Sequence, residues 1–336
     1  MRILITGGCG FIGTNLVDYL LKLGVQFIRI VDNLSVGKKE YLETTLREYD
    51  NYEVCQKEDK IVYKFENSLN TIVELFEGDI RDERVTLHST EGIDVVIHLA
   101  AQSGVFPSIE DPKYSLEANV IGTFNFLEGA RKNKVKKFIF ASSGAPLGNN
   151  LPPFHENMVP HPISPYGATK LAGEALCQAW YHSYGLETTI FRFSNVYGPR
   201  SYHKGSVVAA FMKKILKNEP LIVYGDGNQT RDFLYVEDLC YAIDLALKKT
   251  VSGEIFQLGS GVETSINELI VLLKEITKVN FKVNYVAPRP GEIIRNYADI
   301  SKIRKKLGYS PKVDLKQGLQ KTWQWFMREY GENKGS

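Results

Sequence analysis

The chain has 336 residues, 43% hydrophobic and 24% charged, with a formal net charge of +2. That is the profile of an ordinary globular protein, long enough for two domains or for one large domain with an appendage. So small a net charge makes no case for nucleic acid or a membrane surface, and no apolar run approaches the ~18 residues of a membrane span. Cys9, Cys55, Cys177 and Cys240 have no paired spacing and no accompanying histidine cluster. We therefore expect reduced thiols, no metal site and a cytoplasmic protein. The N-terminus enters a strand at once, without the pattern of a signal peptide.

Residues 2–6 are a short apolar run closed by glycine, which predicts a strand buried on both faces of a parallel sheet. Gly7-Gly8-Cys9-Gly10-Phe11-Ile12-Gly13 follows, then helical periodicity over 15–21. Glycines at 7, 10 and 13 permit a tight turn, a close backbone approach to a pyrophosphate and close packing of helix on strand. The free amides of the helix N-terminus then face the phosphates. A second strand, 27–31, ends in Asp32, 19 residues beyond Gly13. A carboxylate there accepts from both adenosine ribose hydroxyls and repels a 2′-phosphate, which favours NAD over NADP.

Residues 38–72 are charged and weakly periodic, and are expected to hold a helix and a surface insertion. Residues 74–76 lead to a strand end at 78–82. Asp94 to Ala101 predicts a fourth strand whose small final residues let a flat ring approach the sheet edge. His98, inside that apolar strand, is expected to be a satisfied core histidine. A helix over 115–132 carries Asn119 in its first half, and a strand over 137–143 ends in Ser142 and Ser143.

Ser164-Pro165-Tyr166-Gly167-Ala168-Thr169-Lys170 reads as a helix start, with Ser164 as N-cap and Pro165 at the first helical position. Tyr166 and Lys170 are four apart and share a face. An ammonium beside a phenol lowers the phenol pKa, which would make Tyr166 a general base near neutral pH. The helix runs to about Tyr184. Beyond it we expect strands at 188–193, 221–224 and 255–258, and helices at 207–217, 239–249, 266–277 and 315–330. Alternating strand and helix in the first half predicts an α/β fold, a doubly wound parallel sheet with its site at the carboxyl ends of the strands.

Five landmarks occur in order. They are Phe11-Ile12-Gly13 closing the glycine turn, Asp32-Asn33-Leu34-Ser35, His98-Leu99-Ala100-Ala101, Tyr166 with Lys170, and Arg231-Asp232-Phe233 after Gly225-Asp226-Gly227. Taken together, the chain resembles the extended short-chain dehydrogenase/reductase family, the nucleotide-sugar epimerases and dehydratases. The resemblance implies a Rossmann-type NAD-binding domain over 1–185, to which strands near 187–195 and 255–259 return. It implies a smaller mixed α/β domain over 196–336 for a nucleotide sugar. A homodimer would form through a four-helix bundle, with helices near 114–132 and 165–184 from each subunit.

The resemblance also assigns residues. Gly7, Gly10, Phe11, Ile12 and Gly13 would hold the pyrophosphate of NAD, and Asp32 and Asn33 its adenosine ribose. Asp79 and Ile80 would lie near adenine. Leu99, Ala100, Ala101 and Asn119 would line the path to nicotinamide, and Lys170 would bond the nicotinamide ribose. Ser35, Gly37, Ser142, Tyr166 and Phe193 complete the cofactor set. Ser143 would orient substrate and share its proton with Tyr166. For the substrate, Asn195, Arg231 and Arg289 would hold the diphosphate, Val207 and Tyr224 would bracket the base, Glu292 would take a ribose hydroxyl, and Ser103 would face the sugar.

Two departures stand out. Where the family reads S-S/T-x-x-V-Y-G, this chain has Ser142-Ser143-Gly144-Ala145-Pro146-Leu147-Gly148. The carboxylates that dehydratases and decarboxylases carry after the hydroxyl residue are replaced by Gly144 and Ala145. The reading is an NAD-dependent 4-epimerase of a UDP-hexose or UDP-N-acetylhexosamine, with Ser143, Tyr166 and Lys170 catalytic, a transient 4-keto sugar and no net redox. The alternatives are a dehydratase or decarboxylase recruiting a group such as Glu156 or Cys177, a plain dehydrogenase, and a non-catalytic protein binding NAD and a nucleotide sugar.

Overall fold

β1 (Arg2–Thr6) is buried from Ile3 onward, and β2 (Phe27–Asp32) is buried throughout, as their unbroken apolar runs require. Between them lies α1 (Phe11–Lys22). The computed structural model describes residues 1–49, 52–65, 70–288 and 293–331. In chain order there follow α2 (Lys39–Leu46), β3 (Tyr52–Gln56), β4 (Ile61–Phe65), β5 (Ile72–Glu77), α3 (Glu83–Ser89) and β6 (Val95–His98). Next come α4 (Val105–Glu110), α5 (Pro112–Leu116), a π-helical turn (Glu117–Ile121), α6 (Gly122–Lys132), β7 (Lys137–Ser143), α7 (Pro165–Tyr184) and β8 (Glu187–Phe193).

Among the described residues nine strands form one sheet, in the order Glu254–Leu258, β8, β7, β6, β1, β2, β5, β4, β3. β1 pairs in parallel with β2 on one side, Leu4 opposite Arg29, and with β6 on the other, Ile5 opposite Ile97. The chain order reverses at β1. In an open parallel sheet that is where a ligand crevice forms, at the carboxyl ends of the strands. The core on one face holds Leu4, Val31, Val96, Phe126, Phe138, Phe140, Cys177 and Trp180.

The stretch 38–72 contains the expected helix, α2, but its remainder is regular. β3 and β4 form an antiparallel hairpin, and β4 pairs antiparallel with β5, extending the sheet by two strands. β3 is an edge strand with no fully buried residue, so its composition resembles a surface loop. Tertiary aromatic packing holds it. Tyr52 lies against Tyr63 and Phe65, and the Tyr63 hydroxyl donates to Glu43 of α2.

The chain divides into two compact units. The first is Met1–Gly148, Val159–Arg192 and Ala246–Phe256; the second is Asn149–Met158, Phe193–Leu245 and Gln257 onward. Residues 149–158 thus fold with the second unit rather than within 1–185. In the second unit, helices Val207–Leu216, Ile266–Thr277 and Leu315–Tyr330 pack around short strand pairs, and a further helix, Val236–Lys248, begins there. Leu221–Tyr224 runs parallel with Val283–Val286, and Asn195–Tyr197 parallel with Phe233–Tyr235. Thr230–Arg231 pairs antiparallel with Thr264–Ser265. Among the described residues no helix is long and apolar enough to cross a membrane, and no group of three or more His, Cys, Asp or Glu could hold a metal ion.

Candidate active site

The glycine loop between β1 and α1 closes on itself. Gly7 N donates to Val31 O, Gly10 N donates to Gly7 O at 3.1 Å, and Gly7 has φ +70°. A Cβ on Gly13 would lie 2.3 Å from Gly7 O, so only glycine lets α1 begin this close to the strand. Gly10 caps α1 without a side-chain hydrogen bond, and the turn that follows carries Phe11, Ile12 and Gly13 with their amides open to an anion. Asp32 ends β2. Its Oδ2 accepts from Cys9 N and its Oδ1 from Leu34 N, both at 2.9 Å. Burial pushes the Asp32 pKa up, while those two amides oppose the shift. A Cβ on Gly37 would sit 2.6 Å from the Cys9 carbonyl carbon, so the segment after β2 lies directly on the glycine loop.

Asn33 takes Ser35 N and Ser35 Oγ on its Oδ1 and donates to Asp79 Oδ2 at 3.1 Å. Asp79 is held at about 2 by the Arg81 guanidinium. Ile80, beside it, is buried. At the end of β6, Ala100 N donates to Thr6 Oγ1, and a Cβ on Gly7 would touch Ala100, which brings Leu99, Ala100 and Ala101 beside the glycine loop. His98 is fully buried, and burial lowers its pKa to about 3. Its ring nitrogens meet Thr6 Oγ1 and Thr123 Oγ1, so it is the satisfied core histidine expected. Asn119 sits in the π-helical turn. Its side chain pairs with both backbone groups of Gln102 and donates to Thr169 Oγ1 of α7 at 3.0 Å. Such turns recur at functional sites because the extra residue re-aims a side chain. Ser103, next to Gln102 and ahead of α4, is exposed.

α7 starts as its residues dictate. Ser164 Oγ accepts from Gly167 N, Pro165 takes the first position, and Gly185 stops the helix in the left-handed region. Gly173 lets it lie against β7, since a Cβ there would come 2.4 Å from the Phe140 ring. Ser143 hydrogen-bonds the Tyr166 hydroxyl, which lowers the Tyr166 pKa, but desolvation acts more strongly and raises it. The expected depression by Lys170 is therefore overturned in the protein alone. The Lys170 ammonium is 6.0 Å from the Tyr166 ring centre and is spent on Ala141 O, to which Nζ donates at 2.8 Å. Lys170 is itself 3% exposed, and burial lowers its pKa to about 8.

Ser142 points away from Ser143 and donates to Glu174. Glu174 in turn forms a buried ion pair with Arg192. Neither partner was anticipated, although Glu174 lies four residues beyond Lys170 on the same helical face and could have been found from that spacing. Phe193 ends β8.

In the second unit Asn195, Val207, Tyr224 and Arg231 are all partly exposed. Val207 opens its helix and Tyr224 ends its strand. Arg231 Nη1 donates to the carbonyls of Thr230 and Ile293. Asp232 beside it is buried and accepts from Ser260 N, Ser260 Oγ, Gly261 N and Ala298 N, which ties three segments together. Arg289 and Glu292 lie outside the described residues.

Comparison with known proteins shows the family. The model of the NAD dependent epimerase/dehydratase family matches residues 3–259. A putative UDP-glucose 4-epimerase of Methanocaldococcus jannaschii is 39% identical over 96% of this chain and 97% of its own length. A UDP-N-acetyl-alpha-D-glucosaminuronate decarboxylase of Bacillus cytotoxicus is 35% identical over 97% of each chain. The crystal structure of UDP-glucose 4-epimerase from Thermotoga maritima with UDP-glucose superposes with a TM-score of 0.84 at 37% identity, covering 98% of this chain and 99% of that one. The glycine cradle, the carboxylate closing β2 and the open first turn of α1 fit NAD. With its Rossmann-type sheet and this match, the chain belongs to the NAD-dependent epimerase/dehydratase family.

Proposed function

We propose that this chain is a nucleotide-sugar 4-epimerase acting on a UDP-hexose or UDP-N-acetylhexosamine with no net redox. The observation that carries the reading is the Ser143–Tyr166–Lys170 constellation followed by Gly144 and Ala145, where water or carbon dioxide loss would call for a carboxylate. Gly7, Gly10, Phe11, Ile12 and Gly13 would hold the NAD pyrophosphate, and Asp32 its ribose. When bound, NAD supplies a two-electron acceptor that can be filled and emptied within one catalytic cycle.

The chain's own residues handle the proton. Tyr166 takes it from the sugar 4-hydroxyl and returns it after the 4-keto sugar has presented its other face. Ser143 donates to the same oxygen as charge develops there. Lys170 stays cationic at neutral pH, one helical turn beyond Tyr166, where it would bond the nicotinamide ribose. Asn195, Arg231 and Arg289 would take the diphosphate, for which arginine offers a planar fork. The base would lie between Val207 and Tyr224, with Glu292 on its ribose.

The lyase reading draws support from the Bacillus cytotoxicus relative. Its two candidate groups are engaged elsewhere. Glu156 Oε1 accepts from Gln257 N at 2.7 Å, and Cys177 is a fully buried core residue whose pKa burial pushes up. Incubating the protein with a panel of nucleotide sugars, followed by mass spectrometry and proton NMR, separates the two. A 4-epimer of unchanged mass is the expected product; a product lighter by water or carbon dioxide moves the chain to the lyases. Tyr166→Phe should lower kcat by roughly 10²–10⁴-fold while leaving NAD bound.

The assembly we infer is a homodimer. The α4–α6 segment leaves Phe106 52%, Ile109 57%, Leu116 51%, Ile121 43% and Phe124 38% exposed, and Tyr184, which like Phe124 meets the Trp180 ring, ends α7 at 55%. Together they form the kind of apolar helical surface that a second copy covers.

A further inference from the structure

Glu174 and Arg192 form a buried ion pair to which the chemistry above gives no role. Both side chains are 3% exposed. Arg192 Nε and Nη2 donate to Glu174 Oε1 and Oε2 at 2.9 and 2.7 Å, a planar two-point fork. Ser142 Oγ also donates to Oε1. Arg192 Nη1 is buried with no hydrogen-bond partner among the described residues. Taking two charges out of water costs several kcal/mol per ion, and apolar replacement of such pairs is often neutral or stabilising. Stability is therefore a weak reason for this pair to exist.

Its location supplies a better one. Three consecutive residues of β7 hold three successive turns of α7. Ser143 hydrogen-bonds Tyr166, Ala141 O accepts from Lys170 Nζ, and Ser142 donates to Glu174. Residues 166, 170 and 174 make one stripe on the helix, so the carboxylate occupies the turn after the ammonium. The other groups whose charge bears on Lys170 are Tyr166 and Cys177 on α7 and His98 on β6. Burial keeps Cys177 and His98 neutral near pH 7. Arg192 reaches Glu174 from β8, on the side of β7 away from β6. Burial draws the Lys170 pKa down, and negative charge on Cys177 or on Glu174 acts against that fall.

We propose that Glu174, clamped by Arg192 and Ser142, is a positioning residue for the Tyr166–Lys170 pair, its charge keeping the buried Lys170 ammonium protonated and in register with Tyr166. The catalytic meaning of this role rests on the epimerase reading; the electrostatic role does not.

The test is a titration of Lys170 in the full chain saturated with NAD. It is read by carbon-13 NMR on lysine labelled at Cε, with the Lys170 signal identified by its loss in Lys170→Ala. In Glu174→Gln the midpoint should fall by about one pH unit or more, because an opposite charge close by raises an ammonium pKa by that order. The alkaline fall in kcat should move down with it while KM changes little. Glu174→Gln strands the Arg192 cation in the interior, so Glu174→Gln/Arg192→Met carries the same measurement without an unpaired charge, and its midpoint should also lie below that of the native chain. A folded double variant with an unchanged Lys170 midpoint overturns the proposal. A native chain that turns over no nucleotide sugar, with the midpoint shift present, overturns the epimerase reading and leaves the role of Glu174 standing.

Discussion

At Gly13 a single methyl group decides where α1 can begin. Its Cβ would lie 2.3 Å from Gly7 O and 2.5 Å from Gly8 Cα, both backbone atoms that no side-chain rotation can move. Gly13→Ala should therefore lift the helix start from the loop, lowering stability by roughly 1–3 kcal/mol. A fall in Tm together with weaker NAD retention on gel filtration would check it. His98 sets a pH dependence. Its pKa is about 3 in the folded chain against about 6.5 for a free histidine, so the unfolded chain binds a proton that the folded chain refuses. Its contribution is complete above pH ~6.5, is lost progressively as pH falls toward ~3, and amounts to a few kcal/mol. In His98→Asn the dependence of Tm on pH across that window should be shallower than in the native chain.

Among the elements, the β3–β4 hairpin depends on partners outside its own span. Tyr63 is fully buried, Tyr52 and Phe65 pack on one another, and Tyr49 donates from its hydroxyl to Asp18 of α1. Truncating Tyr63 to alanine should cost about 3–5 kcal/mol in denaturant unfolding, the range for a large buried aromatic. α7 contrasts with the hairpin. Its start, its stop and its Tyr166–Lys170 face follow from local residues alone. The electrostatics of that face do not. Desolvation outweighs the hydrogen bond from Ser143 and leaves Tyr166 with a raised pKa. Spacing along a helix carries no information about burial.

For the whole molecule, the exposed apolar residues of α4 to α6 lead to a concentration-dependent prediction. Sedimentation velocity should give a species of twice the chain mass, 38.0 kDa per chain. Phe106→Glu with Phe124→Glu should shift it toward the monomer, since two carboxylates cannot be buried there without partners. A chain that sediments as a monomer without those changes would remove the four-helix interface.

Local chemistry determined much of this protein from its sequence. The apolar runs of β1, β2 and β7, the glycines at 7, 10 and 13, Asp32 at a strand end and the capped start of α7 each act through neighbours within a few residues. Those features made the doubly wound sheet, the glycine loop and the shared face of Tyr166 and Lys170 legible in the sequence. Tertiary structure alone decided the rest. The hairpin of 52–65 is held by contacts from α2, Tyr49 and β5, and residues 149–158 fold with a unit whose other segments lie farther along the chain. Glu174 acquires its partners from β7 and β8. Each of these depends on side chains brought together across long stretches of sequence, and on how much water their packing excludes, a quantity that no local pattern encodes.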